Sequence, residues 1–261
     1  MRMRFLACLS FAATLMAVDA EPLVRTGETI AFLGDSITYY GNSRPLGYIH
    51  LVTNGLDAVG VRVSVIPAGI GGHKSDDLLA RLEKDVLSRK PQWMTLSCGV
   101  NDVFHAHLPG RKGVPLADYR RNVTEILDRC AAAGVKVILM TPTMITEDAE
   151  NVQNVELEAY CACLRQIAAE RRLPLADLNA AMRAEVARRR VREHDTKNKL
   201  TWDGIHMIAD GDEMIASGLL RAMGVDITKD GFIRRAWEVY RQEVLGKSNG
   251  RDPVEESKPI K

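Results

Sequence analysis

The sequence predicts an α/β fold: a three-layer α/β/α sandwich with a mostly parallel, five-stranded sheet at its centre. Short apolar runs alternate along the chain with longer segments in which apolar residues recur every three or four positions, a pattern typical of strands alternating with amphipathic helices. The 261 residues are 46% hydrophobic and 26% charged, which is the balance of an ordinary globular protein. No linker-like stretch divides the sequence, so a single folded domain is expected.

The strands are predicted from the short apolar runs. In chain order, these runs are Thr29–Leu33, Arg62–Ile66, Trp93–Cys98, Val135–Met140 and Leu173–Leu175. Helix-like segments lie between successive runs, and two strands that are joined by a helical crossover run parallel. The ligand site of such a sheet lies at the carboxyl ends of its strands, so catalytic residues are expected directly after the apolar runs.

The helices are predicted from the amphipathic segments. In chain order, these are Leu46–Val59, Asp76–Ser88, Leu116–Ala133, Val152–Arg171, Ala180–Arg192, Met207–Met223 and Ile227–Val244. Two boundaries carry an additional signal. Ser75 precedes two aspartates, which suits a helix start, and Gly134 follows three alanines, which suits a helix end.

The first twenty residues have the organisation of a signal peptide. Arg2 and Arg4 precede the apolar stretch Phe5–Val18, and Ala20 closes a possible cleavage site of small residues. About fourteen apolar residues are too few to span a bilayer, which needs about twenty. We therefore predict a signal peptide over residues 1–20 and export of the mature protein to the periplasm or the extracellular space.

The mature chain is predicted to form one domain over residues 21–245, followed by a polar, disordered tail over residues 246–261. Residues 1–20 hold two of the 35 basic residues and one of the 34 acidic residues, so 33 of each remain. This neutral balance favours neither nucleic acid nor a stable membrane association. A small-molecule or glycan ester is the expected partner, and the oligomeric state is left open.

Four cysteines remain in the mature chain: Cys98, Cys130, Cys161 and Cys163. An exported protein can pair its cysteines, but the pairing does not follow from the sequence. Cys161 and Cys163 are two positions apart in a predicted helix, where their side chains diverge. Buried free thiols are therefore an equally good interpretation, and no spacing typical of a zinc site is present.

A serine directly follows the first predicted strand. The strand ends at Leu33 and continues into Gly34-Asp35-Ser36, so that Ser36 lies at the carboxyl end of the sheet and can face the cleft. The same residue types are common in turns and helix caps, so this motif alone does not distinguish a nucleophile from a structural serine.

An aspartate and a histidine lie three positions apart near the end of the domain, in the segment Asp203–His206. On one face of a helical turn, this spacing brings a carboxylate next to an imidazole. An aspartate that accepts from one ring nitrogen fixes the tautomer, so that the other nitrogen can accept a proton from a serine. An ordinary Asp-Gly turn is the alternative interpretation.

Taken together, these segments resemble the SGNH (GDSL) hydrolase family, whose four motif blocks supply a serine, a glycine, an asparagine and a histidine. The resemblance covers Thr29 to His206 and implies an SGNH/flavodoxin-like fold. The matching blocks, in order, are Gly34-Asp35-Ser36, Ala68-Gly69-Ile70-Gly71-Gly72, Gly99-Val100-Asn101-Asp102 and Asp203-Gly204-Ile205-His206.

The resemblance implies a catalytic role for each motif. Ser36 would be the nucleophile, His206 the general base and Asp203 the residue that orients it. The oxyanion hole would consist of the backbone N–H of Ser36, the backbone N–H of Gly72 and the side-chain amide of Asn101. No cofactor and no metal are expected.

Two details of the oxyanion loop are left open. Gly71 is a competing assignment for the second donor. Many relatives begin the glycine block with asparagine, whereas Pro67 occupies the corresponding region here, so this loop departs from the family pattern. The Gly-x-Ser-x-Gly elbow of the α/β-hydrolases is absent from the sequence.

Several polar and aromatic residues near these motifs are assigned further roles. Asp35 and Asp102 are expected to stabilise their loops through side-chain to backbone hydrogen bonds. Tyr39 and Trp202 are candidate substrate contacts, with core packing as the alternative. His105 and His107 form a His-x-His pair without a third metal ligand at recognisable spacing, so a polar rim of the cleft is favoured over a metal site.

These observations predict a secreted serine esterase that acts through an acyl-enzyme intermediate, on short acyl groups, acetyl above all, carried by carbohydrate. A lipid acylhydrolase is the first alternative, but the insertion Phe104–Pro115, where an apolar lid would lie, is not strongly apolar. A catalytically silent glycan-binding domain is the second alternative. It is disfavoured because the serine, asparagine, aspartate and histidine of the motifs are all present.

Overall fold

Five parallel strands form one sheet in the spatial order β2-β1-β3-β4-β5. The strands are β1 Thr29–Gly34, β2 Ser64–Gly69, β3 Trp93–Ser97, β4 Lys136–Met140 and β5 Leu175–Ala176. The computed structural model describes residues 21–193, 198–228 and 231–247. The predicted α/β sandwich is confirmed, and all of the pairings in this sheet are parallel.

Helices cover both faces of the sheet. In the described residues they are α1 Ser36–Ser43, α2 Tyr48–Ala58, α3 Ser75–Asp85, α4 Val100–Phe104, α5 Leu116–Ala132, α6 Val152–Arg171, α7 Leu178–Glu193, α8 Ala209–Ala222 and α9 Phe232–Lys247. Helix α2 packs against α8 and α9, and α7 packs against α8. Helix α3 packs against α5, and α5 packs against α6. These two groups of helices form the outer layers.

The core lies between these layers and is centred on β1 and β3. Ile30, Ala31, Phe32 and Leu33 of β1 have no solvent exposure, as expected for a strand that is covered on both faces. Such a strand has no polar side, which explains why the sequence shows it as a continuous apolar run. This buried interior strand carries the first candidate motif at its carboxyl end.

The second strand begins and ends later than predicted. The prediction Arg62–Ile66 stops before Pro67, whereas β2 runs from Ser64 to Gly69 and includes that proline opposite Phe32. Proline lacks an N–H and is tolerated on an edge strand, which is the position of β2 in this sheet. The extension brings the start of the glycine block to the carboxyl end of the sheet.

The sequence prediction missed two short helices, α1 and α4. Both begin at a strand end, directly after Asp35 and Gly99, and they are too short to show a helical period. The other boundary corrections are smaller. Helix α3 ends at Asp85 and a 3₁₀ turn Leu87–Arg89 follows, α7 begins at Leu178, and the short β5 is Leu175–Ala176 instead of Leu173–Leu175.

The later helices also start after their predicted beginnings. Helix α8 starts at Ala209 instead of Met207, and α9 starts at Phe232 instead of Ile227. Helix α9 ends at Lys247 and so includes the first two residues of the predicted tail. The predicted signal peptide and residues 248–261 lie outside the described residues.

All four cysteines of the described residues are buried free thiols, namely Cys98, Cys130, Cys161 and Cys163. Of the two interpretations that the sequence allowed, free thiols are therefore observed. Within the described ranges, no helix is both long enough and apolar enough to cross a membrane.

Candidate active site

Ser36 is the first residue of helix α1, directly after β1. The Asp35 side chain accepts a hydrogen bond from the backbone N–H of Ile37 at 2.9 Å and so caps this helix. A side chain at position 34 would collide with Thr38, because a Cβ on Gly34 would lie 2.1 Å from the Thr38 hydroxyl. The glycine lets the chain turn sharply from strand to helix and leaves Ser36 partly exposed.

Asp203 and His206 lie in a tight loop and not in the helical turn that the sequence suggested. An antiparallel bridge between Thr201 and Met207 closes this loop. The Asp203 carboxylate accepts from the backbone N–H of His206 at 2.8 Å. Gly204 has a φ of +95°, which favours glycine, and its presence lets the chain turn back within so few residues.

Three side chains meet across this site in one chain of hydrogen bonds. Ser36 Oγ lies 2.8 Å from His206 Nε2, and His206 Nδ1 lies 2.6 Å from Asp203 Oδ2. Partial burial pushes the pKa of Asp203 upward. Hydrogen bonds from the His206 ring and from two backbone N–H groups outweigh that effect and lower the pKa to about 2. Asp203 is therefore a carboxylate at neutral pH and accepts from the imidazole.

The glycine block lies beside Ser36. A Cβ on Gly71 would lie 3.8 Å from Ser36 Cβ, so this loop is in van der Waals range of the serine. Gly72 has a φ of +76°. Asn101 is buried, and its amide nitrogen donates to the backbone carbonyl of His73 at 3.1 Å, which ties it to the same loop. A side-chain amide carries two hydrogens, so a second one remains for another acceptor.

Asp102, the neighbour of Asn101 in α4, joins α4 to the start of helix α3. Its carboxylate accepts from the backbone N–H of Ser75 at 3.0 Å and from the Ser75 hydroxyl. Asn122 donates to the same hydroxyl at 3.1 Å. Burial raises the pKa of Asp102 to about 6, and the hydrogen bonds from Ser75 oppose the rise. The side-chain to backbone bonds predicted for Asp35 and Asp102 are therefore present.

An aromatic group surrounds the imidazole. The Trp202 ring stacks on His206 with centroids 5.2 Å apart and an interplanar angle of 19°. Tyr40 contacts both rings edge-on. Tyr39 contacts Tyr40 and is 51% exposed. Of the two candidate substrate contacts, Trp202 thus packs on the site histidine, while Tyr39 presents its ring to solvent.

His105 and His107 lie in the 3₁₀ turn after α4 and make separate contacts. His105 is buried, and its Cε1 would lie 3.8 Å from a Cβ on Gly72. His107 Nε2 lies 2.8 Å from a carboxylate oxygen of Glu156. Burial lowers the pKa of His105, and Arg111 acts in the same direction. In the part of the chain that the structure describes, no group of three or more His, Cys, Asp or Glu residues is arranged to hold a metal ion.

Sequence reasoning missed three buried residues near the loop of Asp203 and His206, two of which contact its flanking backbone while the third, Asp212, bonds to Arg44. They are Arg44 after α1, Glu147 after β4, and Asp212 in α8. Glu147 accepts from the backbone N–H groups of Lys199, Leu200 and Thr201. Their contacts join segments far apart in the chain, so no local pattern in the sequence marks them.

The family model and the relatives that match most of the chain are acylhydrolases or esterases. A family model described as the GDSL-like lipase/acylhydrolase family matches residues 32–214. An acetylxylan esterase from Geobacillus stearothermophilus is 31% identical over 220 residues, which cover 78% of this chain and 97% of that protein. A crystal structure of an acetylxylan esterase from the same organism has a TM-score of 0.68 at 29% identity, with the same coverage. An uncharacterized lipoprotein, YqeF of Bacillus subtilis (strain 168), is 32% identical over 33% of this chain and 35% of that protein.

Proposed function

This chain belongs to the GDSL-like lipase/acylhydrolase family, the SGNH hydrolases, and is an esterase of that family, and from this premise we propose that it removes short acyl groups, acetyl above all, from carbohydrate. The reaction passes through an acyl-enzyme on Ser36. The observation that carries this proposal is the continuous contact from Ser36 Oγ through His206 to Asp203, at 2.8 and 2.6 Å.

Acylation begins when Ser36 Oγ attacks the ester carbonyl carbon. The hydroxyl proton passes to His206 Nε2, while Nδ1–H stays bonded to the Asp203 carboxylate, which stabilises the imidazolium. When the tetrahedral intermediate collapses, the ester C–O bond breaks and His206 gives the proton to the leaving alcohol. The acyl group then remains on Ser36 as an ester.

Deacylation repeats the same steps with water. His206 removes a proton from a water molecule that attacks the acyl carbon, and it then returns the proton to Ser36 Oγ as the C–O bond to the serine breaks. The products are a carboxylic acid and the regenerated serine. Each proton transfer uses one nitrogen of one imidazole, so no further acid or base is required.

Both tetrahedral intermediates carry a negative charge on the former carbonyl oxygen. We assign its stabilisation to the backbone N–H of Ser36, the backbone N–H of Gly72 and the amide of Asn101. The contact of the glycine block with Ser36 and the bond from Asn101 to His73 support this assignment. Gly71 lies in the same loop and is the competing donor.

An acetylated carbohydrate is the substrate class that the observations favour. A relative at 31% identity over most of its length is an acetylxylan esterase. The exposed ring of Tyr39, three residues after the serine, offers the type of apolar, flat surface on which a sugar can stack. The neutral mature chain agrees with an uncharged polymer. The segment Phe104–Pro115 carries exposed Arg111 and Lys112, which does not favour a lid over a lipid chain.

Export is proposed on the basis of residues 1–20, whose charge and apolar pattern are those of a signal peptide. The partial match to a lipoprotein supports a location outside the cytoplasm. Amino-terminal sequencing of protein recovered from the culture medium or the periplasm tests this proposal. A mature protein that begins near Glu21 is expected, and an intact Met1 on exported protein would contradict it.

The substrate proposal is tested with a series of p-nitrophenyl esters from acetate to palmitate, followed by acetylated xylan with acetate release as the measurement. We expect kcat/KM to fall steeply beyond the shortest chains and acetate to be released from the polymer. A preference for long chains would instead support a lipid acylhydrolase. Ser36→Ala is the control: it should abolish fluorophosphonate labelling and turnover while the melting temperature stays near that of the wild type.

The proposed mechanism draws every catalytic group from the protein. A chelator such as EDTA is therefore expected to leave the rate of ester hydrolysis unchanged. The measurement is kcat/KM for p-nitrophenyl acetate before and after dialysis against EDTA. Loss of activity that a divalent ion restores would contradict this mechanism.

A further inference from the structure

A buried ion pair lies behind the aromatic group of the active site. Arg44 directly follows helix α1 and is 3% exposed, while Asp212 lies in the first turn of α8 and is 1% exposed. One oxygen of the Asp212 carboxylate accepts from the Arg44 guanidinium, and the other accepts from the backbone N–H of Tyr48 at 3.0 Å. The pair thus joins α1, α2 and α8 at one point.

The same guanidinium reaches the loop that carries His206. Its Nη1 donates to the backbone carbonyl of Met207, the next residue in the chain, at 2.7 Å. Its central carbon lies 5.0 Å from the ring centroid of Trp202, which is within the range of a cation–π contact. Because the Trp202 ring stacks on the imidazole, Arg44 supports His206 both through the backbone and through an aromatic face.

The ion pair is poorly suited to a purely stabilising role. Removing two charges from water costs much of what their attraction returns, and apolar residues of similar volume often stabilise a protein equally well. Burial raises the pKa of Asp212, and Arg44 opposes that rise. Arg44 Nε is buried and makes no hydrogen bond with any described residue, so the desolvation of this guanidinium is only partly compensated.

We propose that the Arg44–Asp212 ion pair is a positioning device for the proposed catalytic base: it fixes Met207 and the Trp202 ring, and thereby holds His206 Nε2 at hydrogen-bonding distance from Ser36 Oγ. Both residues are positioning residues, since neither touches the reacting atoms. This inference rests on the proposed function, because it assigns His206 the role of base.

The physical reason is the freedom that the imidazole would otherwise have. Asp203 holds one ring nitrogen at a single point, so the ring can still tilt about that bond. Stacking against Trp202 opposes this tilt, but only while Trp202 itself is held in place. A displacement of about 1 Å in a catalytic group can cost on the order of 10²-fold in rate. Loosening Trp202 and Met207 is therefore expected to lower kcat and to leave ground-state binding nearly unchanged.

The test replaces the ion pair by apolar residues of similar size in the double variant Arg44→Met/Asp212→Leu. This variant leaves no unpaired charge in the core but removes the acceptor of the buried Tyr48 N–H, so we expect it to fold with a melting temperature moderately below that of the wild type. We expect kcat for p-nitrophenyl acetate, per active site titrated with a fluorophosphonate, to fall about 10- to 100-fold, with KM changed less than threefold. A folded double variant that keeps the full wild-type kcat would overturn the proposal.

A second variant covers the case in which the double variant does not fold. Arg44→Lys keeps the positive charge next to Asp212, but a single ammonium lacks the planar fork that serves Asp212, Met207 and Trp202 together. We expect this variant to fold and to show an intermediate loss of kcat. An unchanged kcat in folded Arg44→Lys would also overturn the proposal.

The matched control is Arg165→Met. Arg165 is part of another ion-pair network, with Glu158 and Asp177, on helix α6 and near the end of β5. Its loss should lower the melting temperature without changing kcat per titrated site. An equal loss of kcat in this control would show that any destabilisation slows the enzyme, and it would remove the support for a specific role of Arg44.

A spectroscopic measurement separates this inference from the proposed function. The hydrogen between His206 Nδ1 and Asp203 Oδ2 should give a downfield proton NMR signal in the resting protein, without any substrate. We expect this signal to broaden or disappear in Arg44→Lys and to persist in Arg165→Met. An unchanged signal would overturn the positioning role, whereas a wild-type protein that hydrolyses no ester would instead contradict the proposed function.

Discussion

At the scale of single residues, one carboxylate sets the direction of the hydrogen bonds in the active site. Asp203 can only accept, because its pKa is lowered to about 2. Nδ1 of His206 therefore carries the hydrogen, and Nε2 presents a lone pair to the Ser36 hydroxyl. The tautomer that a general base needs follows from the position of this one side chain.

Asp203→Asn tests this arrangement. An amide can present its NH₂ group to Nδ1 and so favour the opposite tautomer, with the hydrogen on Nε2, where it cannot accept from Ser36. We expect kcat to fall by up to about 10⁴-fold, as in serine proteases with the equivalent change. Steady-state kinetics with p-nitrophenyl acetate measure the effect. A variant as active as the wild type would remove Asp203 from the proposed triad.

Asn101→Ala tests the oxyanion hole. The loss of one such donor typically costs about 10²- to 10³-fold in kcat, or about 2.7 to 4 kcal/mol, with little change in KM. Asn122→Ala is the matched control, since it removes a buried amide that donates to the Ser75 hydroxyl in the same region. The control should lose thermal stability and keep its kcat per titrated site. A normal kcat in stable Asn101→Ala would refute the assigned role.

At the scale of structural elements, the segment from Lys199 to Met207 is irregular and depends on side chains from other elements. A loop lacks the repeating backbone hydrogen bonds of a helix or a sheet, so its buried N–H groups need other acceptors. The carboxylate of Glu147, which is 2% exposed, accepts from backbone N–H groups at the start of this segment. The Arg44 guanidinium donates to the Met207 carbonyl at its end. The loop of Asp203 and His206 is thus held at both of its ends.

Glu147→Gln tests the first of these attachments. One carboxylate oxygen accepts from Leu200 and Thr201, and the other accepts from the Lys199 N–H at 2.6 Å. The amide group of glutamine would place a donor against one of these donors and leave a buried N–H unsatisfied, at a cost of about 1 to 3 kcal/mol. Urea unfolding measures the loss of stability.

Hydrogen exchange locates that loss. We expect faster exchange at the amides of Lys199, Leu200 and Thr201 in Glu147→Gln than in the wild type. If exchange accelerates uniformly over the domain and not at these amides, Glu147 does not act specifically on this loop.

At the scale of the whole molecule, the sheet order brings the motifs together. Strand β1 lies between β2 and β3, and the strand order changes direction at this point. The carboxyl ends of adjacent parallel strands at such a switch point border one crevice. Ser36 follows β1, the glycine block begins in the last two residues of β2, and Asn101 follows β3. The loop of His206 then returns to this crevice from the far end of the sheet.

Stability of the whole domain should depend on the pH through Asp35. Burial is the largest effect and raises its pKa from 3.8 to about 6. Between these two values the native state binds more protons than the unfolded state, so the free energy of unfolding falls as the pH rises. The loss of stability that comes from burying the charged Asp35 carboxylate is fully present above about pH 6 and absent below about pH 4.

Asp35→Asn should remove this penalty, because an amide oxygen can still accept from Ile37 and carries no charge. We expect the variant to gain stability over the wild type as the pH rises from about 4 to about 6, by an amount on the order of 3 kcal/mol at pH 7. Urea unfolding of both proteins across this pH range measures the difference. A difference that does not change with pH would contradict this assignment.

The sequence by itself determined the architecture and predicted the candidate site residues. Apolar runs alternating with amphipathic segments predict a parallel α/β sheet, because both periods are set by the local geometry of the chain. The motifs after β1 and β3 predict Ser36 and Asn101, and the motif near the end of the domain predicts Asp203 and His206, which the structure places next to Ser36. The sequence missed helix α1, which is too short to show a period, and it ended β2 too early because a proline at a sheet edge weakens the strand signal.

Only the tertiary structure determined how the site is supported. Arg44 and Asp212 are 168 positions apart, and Glu147 and Thr201 are 54 positions apart, so no local pattern could connect either pair. The position of the Trp202 ring also depends on the tertiary structure. The sequence allowed either core packing or a substrate contact, and the structure shows the ring stacked on His206. Local periodicity reports which face of an element is buried. The partner that an arginine or a carboxylate meets there depends on how the elements pack.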